Sequence, residues 1–130
     1  MIAVTCAVIK ENRLFLAVQR NANMKLPLKW EFPGGKLEVG ESEEEGLIRE
    51  IREELQLEIV VDEKLNPVLH DYGQFQIHLL PYLSHIRYGS LCLKEHQDHR
   101  WLEIHQLPEL DWAEADIPVV RQLITLFGKI

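Results

Sequence analysis

The chain has 130 residues, 46% of them hydrophobic, which suits one domain with a real core and leaves little room for a second. Its formal net charge of −7 argues against a surface that tracks duplex nucleic acid, since such surfaces show as basic patches. It does not exclude a small anionic ligand brought in by metal ions.

Residues 2–9 form an apolar run and residues 14–18 a second, separated by the polar cluster "KENR". This reads as a hairpin of two buried strands. The N-terminal "MIAVTCAVIK" lacks a basic leader and is too short for a signal peptide or a membrane span, and no other stretch reaches transmembrane length. Cys6 and Cys92 form no CxxC pair. They read as buried small hydrophobes in a reduced, cytoplasmic setting.

Residues 21–29 predict an irregular loop, and "WEFPGGK", with a proline and two glycines, predicts a loop or strand end rather than a helix. Ser42 with Glu45 fits a capping box that opens a helix. Leu47, Ile48, Ile51 and Leu55 give this helix one apolar face. Further strands are expected over 58–61, 70–72, 74–83, 91–93 and 100–104. A closing helix spans 117–127, with Ile117, Val120, Ile124 and Phe127 on one side and Pro118 in the first turn. Strands, one acidic helix, more strands and a last helix make an α+β or α/β sandwich, whose strand pairing stays open.

Glu50, Glu53 and Glu54 crowd an arc of about 100° on the first helix, away from its apolar face. Like charges at this spacing repel by roughly 0.2–0.5 kcal/mol per pair. A solvated charged face is one reading. A site for hard divalent cations is the other, because Mg²⁺ prefers carboxylate, water and phosphate oxygens. The six histidines (70, 78, 85, 96, 99 and 105) show no helical ligand spacing, and His96 with His99 beside Glu95 makes a weak zinc candidate.

Spacing favours the cation site. From Gly35 the chain runs through Glu41 to Arg49-Glu50-Ile51, then Glu53-Glu54, Gln56 and Leu57. This resembles the Nudix box, G-x5-E-x7-R-E-U-x-E-E-x-G-U with U aliphatic. The departure is Gln56, where the pattern has a glycine suited to a left-handed helix end. "WEFPGGK" before the box and "EHQ…W…AEADIPVV" after it are similar to the MutT branch and its cytidine-triphosphate pyrophosphohydrolase relatives.

The resemblance implies the Nudix fold, an α/β/α sandwich with a central mixed β-sheet, in one domain over residues 1–130. It implies hydrolysis of nucleoside triphosphates to monophosphate and pyrophosphate, with Mg²⁺ or Mn²⁺ as cofactor. The substrate is then an oxidised or otherwise non-canonical (d)NTP or a CTP-like pyrimidine nucleotide, and the partners include neither duplex nucleic acid nor membrane. Monomer and homodimer both remain open. A Nudix hydrolase of another nucleoside diphosphate derivative, and a catalytically silent nucleotide-binding Nudix domain, are the alternatives.

By position, the resemblance assigns the metals to the Gly34 carbonyl, Glu50, Glu53 and Glu54, with Glu95 joining when substrate is bound. Arg49 becomes the orienter of these carboxylates and Glu41 a supporting group. Glu53 is the first choice for deprotonating the water, Glu95 the second. Arg20 and Lys25 match positions near phosphates or sugar, or are solvated surface charges. Phe32 packs near the base or belongs to the core. Glu31 and Pro33 line the same loop, with their backbone toward the base. Asp116 reads the base edge, or caps the helix that starts ahead of Pro118.

Overall fold

In the structure, a computed structural model describing residues 1–128, the two N-terminal apolar runs form the expected hairpin of β1 (Ile2–Glu11) and β2 (Leu14–Gln19). Side chains alternate along both strands. Cys6, Val8, Phe15 and Ala17 enter one core, while Ala7, Ile9, Leu16 and Val18 enter another on the opposite face. That explains the unbroken apolar run, because a strand covered on both faces has no polar side.

β1 runs parallel to β7 (Gln76–Gly89) and antiparallel to β4 (Gly34–Lys36). β7 carries β5 (Leu57–Lys64) and β6 (Val68–Asp71), both antiparallel. β2 pairs antiparallel with β3 (Trp30–Glu31) and β8 (Asp98–Glu103). Helix α1 (Glu43–Leu55) covers one face through Leu47, Ile51 and Leu55. Helix α2 (Ile117–Phe127) covers the other through Val119, Val120 and Leu123. The result is a mixed sheet between helices, the expected α/β/α sandwich.

The capping box is present: the Glu45 amide donates to Ser42 Oγ at 3.1 Å and the Ser42 amide to Glu45 Oε1 at 3.0 Å. At the other end Gln56 adopts the left-handed conformation (φ 57°, ψ 33°) that a glycine would favour. α1 therefore ends in the geometry that the glycine of the box pattern implies, with a side chain that strains it by about 1–2 kcal/mol.

Three expectations need correction. Residues 91–93 are no strand. The Cys92 amide donates to the Leu55 carbonyl at 3.0 Å and the Lys94 amide to the Glu54 carbonyl at 3.1 Å, so the segment satisfies the last carbonyls of α1. Cys92 is exposed, unlike Cys6. On α2 the buried ridge is centred on Val119, Val120 and Leu123, and Ile124 is 39% exposed. Strands expected near 58–61, 70–72, 74–83 and 100–104 all form, with shifted ends.

Candidate active site

The crowding on α1 has a cation within it. The Arg49 side chain is only 20% exposed and bonds Glu41 twice, Nε to Oε2 at 2.8 Å and Nη2 to Oε1 at 2.7 Å. Its Nη1 also reaches Glu50 Oε1 at 3.1 Å and Glu53 Oε2 at 3.2 Å. This fork holds the Glu41 carboxyl at a pKa of about 2, well below the usual carboxylate range.

Glycines make the close approaches possible. β4 pairs so tightly with β1 that a Cβ on Gly34 would collide with the Thr5 backbone. A Cβ on Gly35 would meet the Glu50 carboxylate, and one on Gly46 would meet Leu37 and Glu41. The short strand β4 thus lies directly against the acidic edge of α1.

Glu54 stands apart from the Arg49 fork. Burial first, then the charges of Glu50 and Glu95, push its pKa up to about 9. Its Oε2 is buried and has no hydrogen-bond partner. A buried carboxylate oxygen without a partner, among further carboxylates, is the donor chemistry of a hard divalent cation. The residues fit such an ion in kind. Among the described residues no three His, Cys, Asp or Glu side chains already stand as a metal cage, and Glu50 and Glu53 each give an oxygen to Arg49.

Beside Glu54 opens a cleft of about 330 Å³ on the α2 side of the sheet. Seven of the residues singled out in the sequence line it: Arg20, Lys25, Glu31, Phe32, Gly34, Glu54 and Asp116. Arg49, Glu50, Glu53, Glu95 and Pro33 do not. Glu95 is exposed, with its charge near enough to act on Glu54.

The structure gives these side chains specific partners. Arg20 is no solvated charge: Nη1 bonds Glu31 Oε1 at 3.0 Å and Nε donates to the Lys25 carbonyl. Lys25 lies 5.0 Å from the centre of the Phe75 ring, a cation–π distance. Phe32 is both core and cleft wall, stacked on Trp112 with centroids 4.7 Å apart. Asp116 sits at the start of α2 but makes no side-chain cap bond. Its Oδ2 instead accepts the Phe32 amide at 2.9 Å, and burial, followed by the Glu31 charge, raises its pKa well above the usual value. Pro33 does not line the cleft, and its carbonyl accepts the Ala7 amide at 2.7 Å.

Sequence reasoning missed two aromatic cleft residues, Tyr72 and Phe75, and did not place His96 in the cleft wall. Tyr72 and Phe75 stack with centroids 5.1 Å apart around the turn at Gly73. Two aromatics flanking a turn in "DYGQF" were the available signal. His96 Nε2 meets Glu31 Oε2 at 2.8 Å, and among the described residues no group of three His, Cys, Asp or Glu stands ready for a metal there.

A mixed sheet between two helices, with a glycine strand against a glutamate-rich helix edge and an apolar cleft alongside, defines a Nudix-type hydrolase architecture. A family model described as NUDIX domain matches residues 1–123, and the chain belongs to that family. It is similar to a CTP pyrophosphohydrolase of Escherichia coli (strain K12), 34% identical over 126 residues covering 97% of this chain and 93% of that one. An 8-oxo-dGTP diphosphatase of the same organism is 30% identical over 113 residues, 87% of this chain and 88% of that one. A MutT protein from Methanosarcina mazei Go1 shares the fold, with TM-score 0.87 at 21% identity over 98% of this chain and 96% of that one. The chain is thus a MutT-like Nudix hydrolase, an enzyme acting on acid anhydrides. Nudix hydrolases generally use divalent metal ions. Among the described residues no helix is long and apolar enough to cross a membrane.

Proposed function

We propose that this single-domain enzyme hydrolyses nucleoside triphosphates to the monophosphate and pyrophosphate, with Mg²⁺ as the ion and Mn²⁺ as a substitute. The base is an oxidised purine or a cytidine-like pyrimidine, matching what the names of the two relatives describe. The setting in this reading is the cytoplasm. One observation supports the reading most: a cleft of nucleoside size runs up to Glu54, whose buried Oε2 lacks a partner.

In this reading the Gly34 carbonyl, Glu50, Glu53, Glu54 and Glu95 hold the ions. Bound there, they would neutralise phosphate oxygens and acidify a water. Arg49 keeps the Glu41, Glu50 and Glu53 carboxylates in register, so little reorganisation is needed when the polyanion arrives. Glu53, with its side chain 59% exposed, can reach the phosphate side and takes the proton of the attacking water; Glu95 is the second choice. Arg20 and Lys25 lie on the cleft rim toward phosphate or sugar, while Phe32, Glu31 and Asp116 meet the base. Phe32, Leu79 and Ala115 give the nucleoside end apolar walls.

The test is a product assay with Mg²⁺ over CTP, 5-methyl-dCTP, the canonical dNTPs, 8-oxo-dGTP, ADP-ribose and diadenosine polyphosphates. Pyrophosphate released from triphosphates is the expected result. Turnover of ADP-ribose or dinucleotides alone, or binding without turnover, contradicts it.

A further inference from the structure

His96 has no part in the proposed chemistry, yet it is among the most enclosed polar side chains of the cleft. Its side chain is 2% exposed, and Nε2 meets Glu31 Oε2 at 2.8 Å. Its Nδ1 is buried without a partner, so the contact with Glu31 is what compensates the ring for leaving water. The other oxygen of Glu31 accepts from Arg20 at 3.0 Å. With a donor on each oxygen the carboxylate cannot turn about its last bond, and its remaining lone pairs keep one direction relative to the cleft. Restraint matters here, because the Asp116 carboxyl is buried close enough for the Glu31 charge to act on it.

The backbone around His96 is clamped on two sides. The Lys94 amide donates to the Glu54 carbonyl at 3.1 Å, at the end of α1. On the other side Asn21 Nδ2 donates to the Glu95 carbonyl at 2.7 Å and the Gln97 amide to the Gln19 carbonyl at 3.0 Å. Residues 94–97 therefore bridge the acidic helix and the end of β2, and His96 extends that bridge into the cleft wall.

We propose that His96 is a positioning residue: with Arg20 it pins the Glu31 carboxylate in the cleft, joining the nucleoside end to the segment that carries Glu95. This rests on the cleft being the nucleoside site. His96 acts through Glu31 and touches no reacting atom. A Nε2 donor at that place is what the arrangement requires, and a glutamine amide can supply one.

Four variants and one spectrum test it: two single changes at His96, Glu31→Ala, and Glu31→Ala combined with His96→Leu. In steady-state kinetics on whichever triphosphate the wild type hydrolyses best, His96→Leu raises KM about tenfold with kcat within about twofold, as expected for a lost bond to a charged group. His96→Gln recovers most of the loss. In a Glu31→Ala background His96→Leu adds nothing further, because both changes remove one interaction. In nucleotide-free protein with ¹⁵N-labelled histidine, a slowly exchanging imidazole proton of His96 is present in the wild type and lost in Glu31→Ala. Additive losses, wild-type kinetics in His96→Leu, a fall in kcat alone, or an imidazole proton indifferent to Glu31→Ala each overturn the proposal. Should the wild type hydrolyse no triphosphate, the reaction assignment fails, and the spectrum decides the role of His96 without it.

Discussion

Glu53 and Glu54 are neighbours in sequence with opposite environments. Glu53 is mostly exposed and shares Arg49, whereas Glu54 is half-buried with an orphaned oxygen. Glu53→Gln should cut turnover by several orders of magnitude, while thermal unfolding moves little because exposed substitutions barely affect stability. A near-normal rate would remove Glu53 from the chemistry. Glu54 gives a pH signature. Its folded pKa of about 9 lies above the ordinary 4.5, so between those values the unfolded chain binds fewer protons than the native one. Its contribution to stability is complete below 4.5 and is lost as pH rises through about 9. Melting of metal-free protein across that window should show a fall that Glu54→Gln, a mimic of the protonated acid, flattens. An identical slope in the variant would assign the effect elsewhere. Burial of this kind cannot be read from a string of glutamates, since it depends on which distant segments the fold packs against one of them.

At the scale of elements, α1 was almost wholly legible. Its cap, its apolar face and its carboxylate edge follow from local spacing, which is what a helix makes local. Its end carries the one departure from the box pattern. Gln56 holds the left-handed geometry against its own Cβ, so Gln56→Gly should raise stability by about 1 kcal/mol and leave turnover unchanged, since no ligand sits there. Chemical denaturation checks this; a destabilised variant would show that the glutamine side chain makes a compensating contact. The segment at 91–93 misled because apolar residues in a short run look like a strand. Leu91 and Leu93 do pack on the α1 core, but their backbone serves helix carbonyls instead of a sheet. On α2, spacing placed the helix correctly and its buried ridge one position off, since Val119 and Leu123 face the sheet and Ile124 partly faces solvent.

Across the whole molecule, the class of fold was readable but the pairing was not. That β1 would run parallel to β7, from the far half of the chain, is a contact between residues more than seventy positions apart. No local pattern encodes it. The cleft shows the same limit: Arg20, Glu31, His96 and Asp116 come from four separate segments, and only folding shows that two of them hold a third. The box was legible because its residues lie on one helix and the strand before it. The proposed reaction depends above all on divalent ions binding among Glu50, Glu53 and Glu54. Paramagnetic broadening by Mn²⁺ in ¹⁵N-labelled protein tests it most directly. Loss of the amide signals of Gly34, Gly35 and residues 50–54 at substoichiometric Mn²⁺, reversed by Mg²⁺ and sharpened by a nonhydrolysable triphosphate, is the predicted result. Broadening spread evenly over the acidic surface, or centred away from α1 even with nucleotide present, would contradict it.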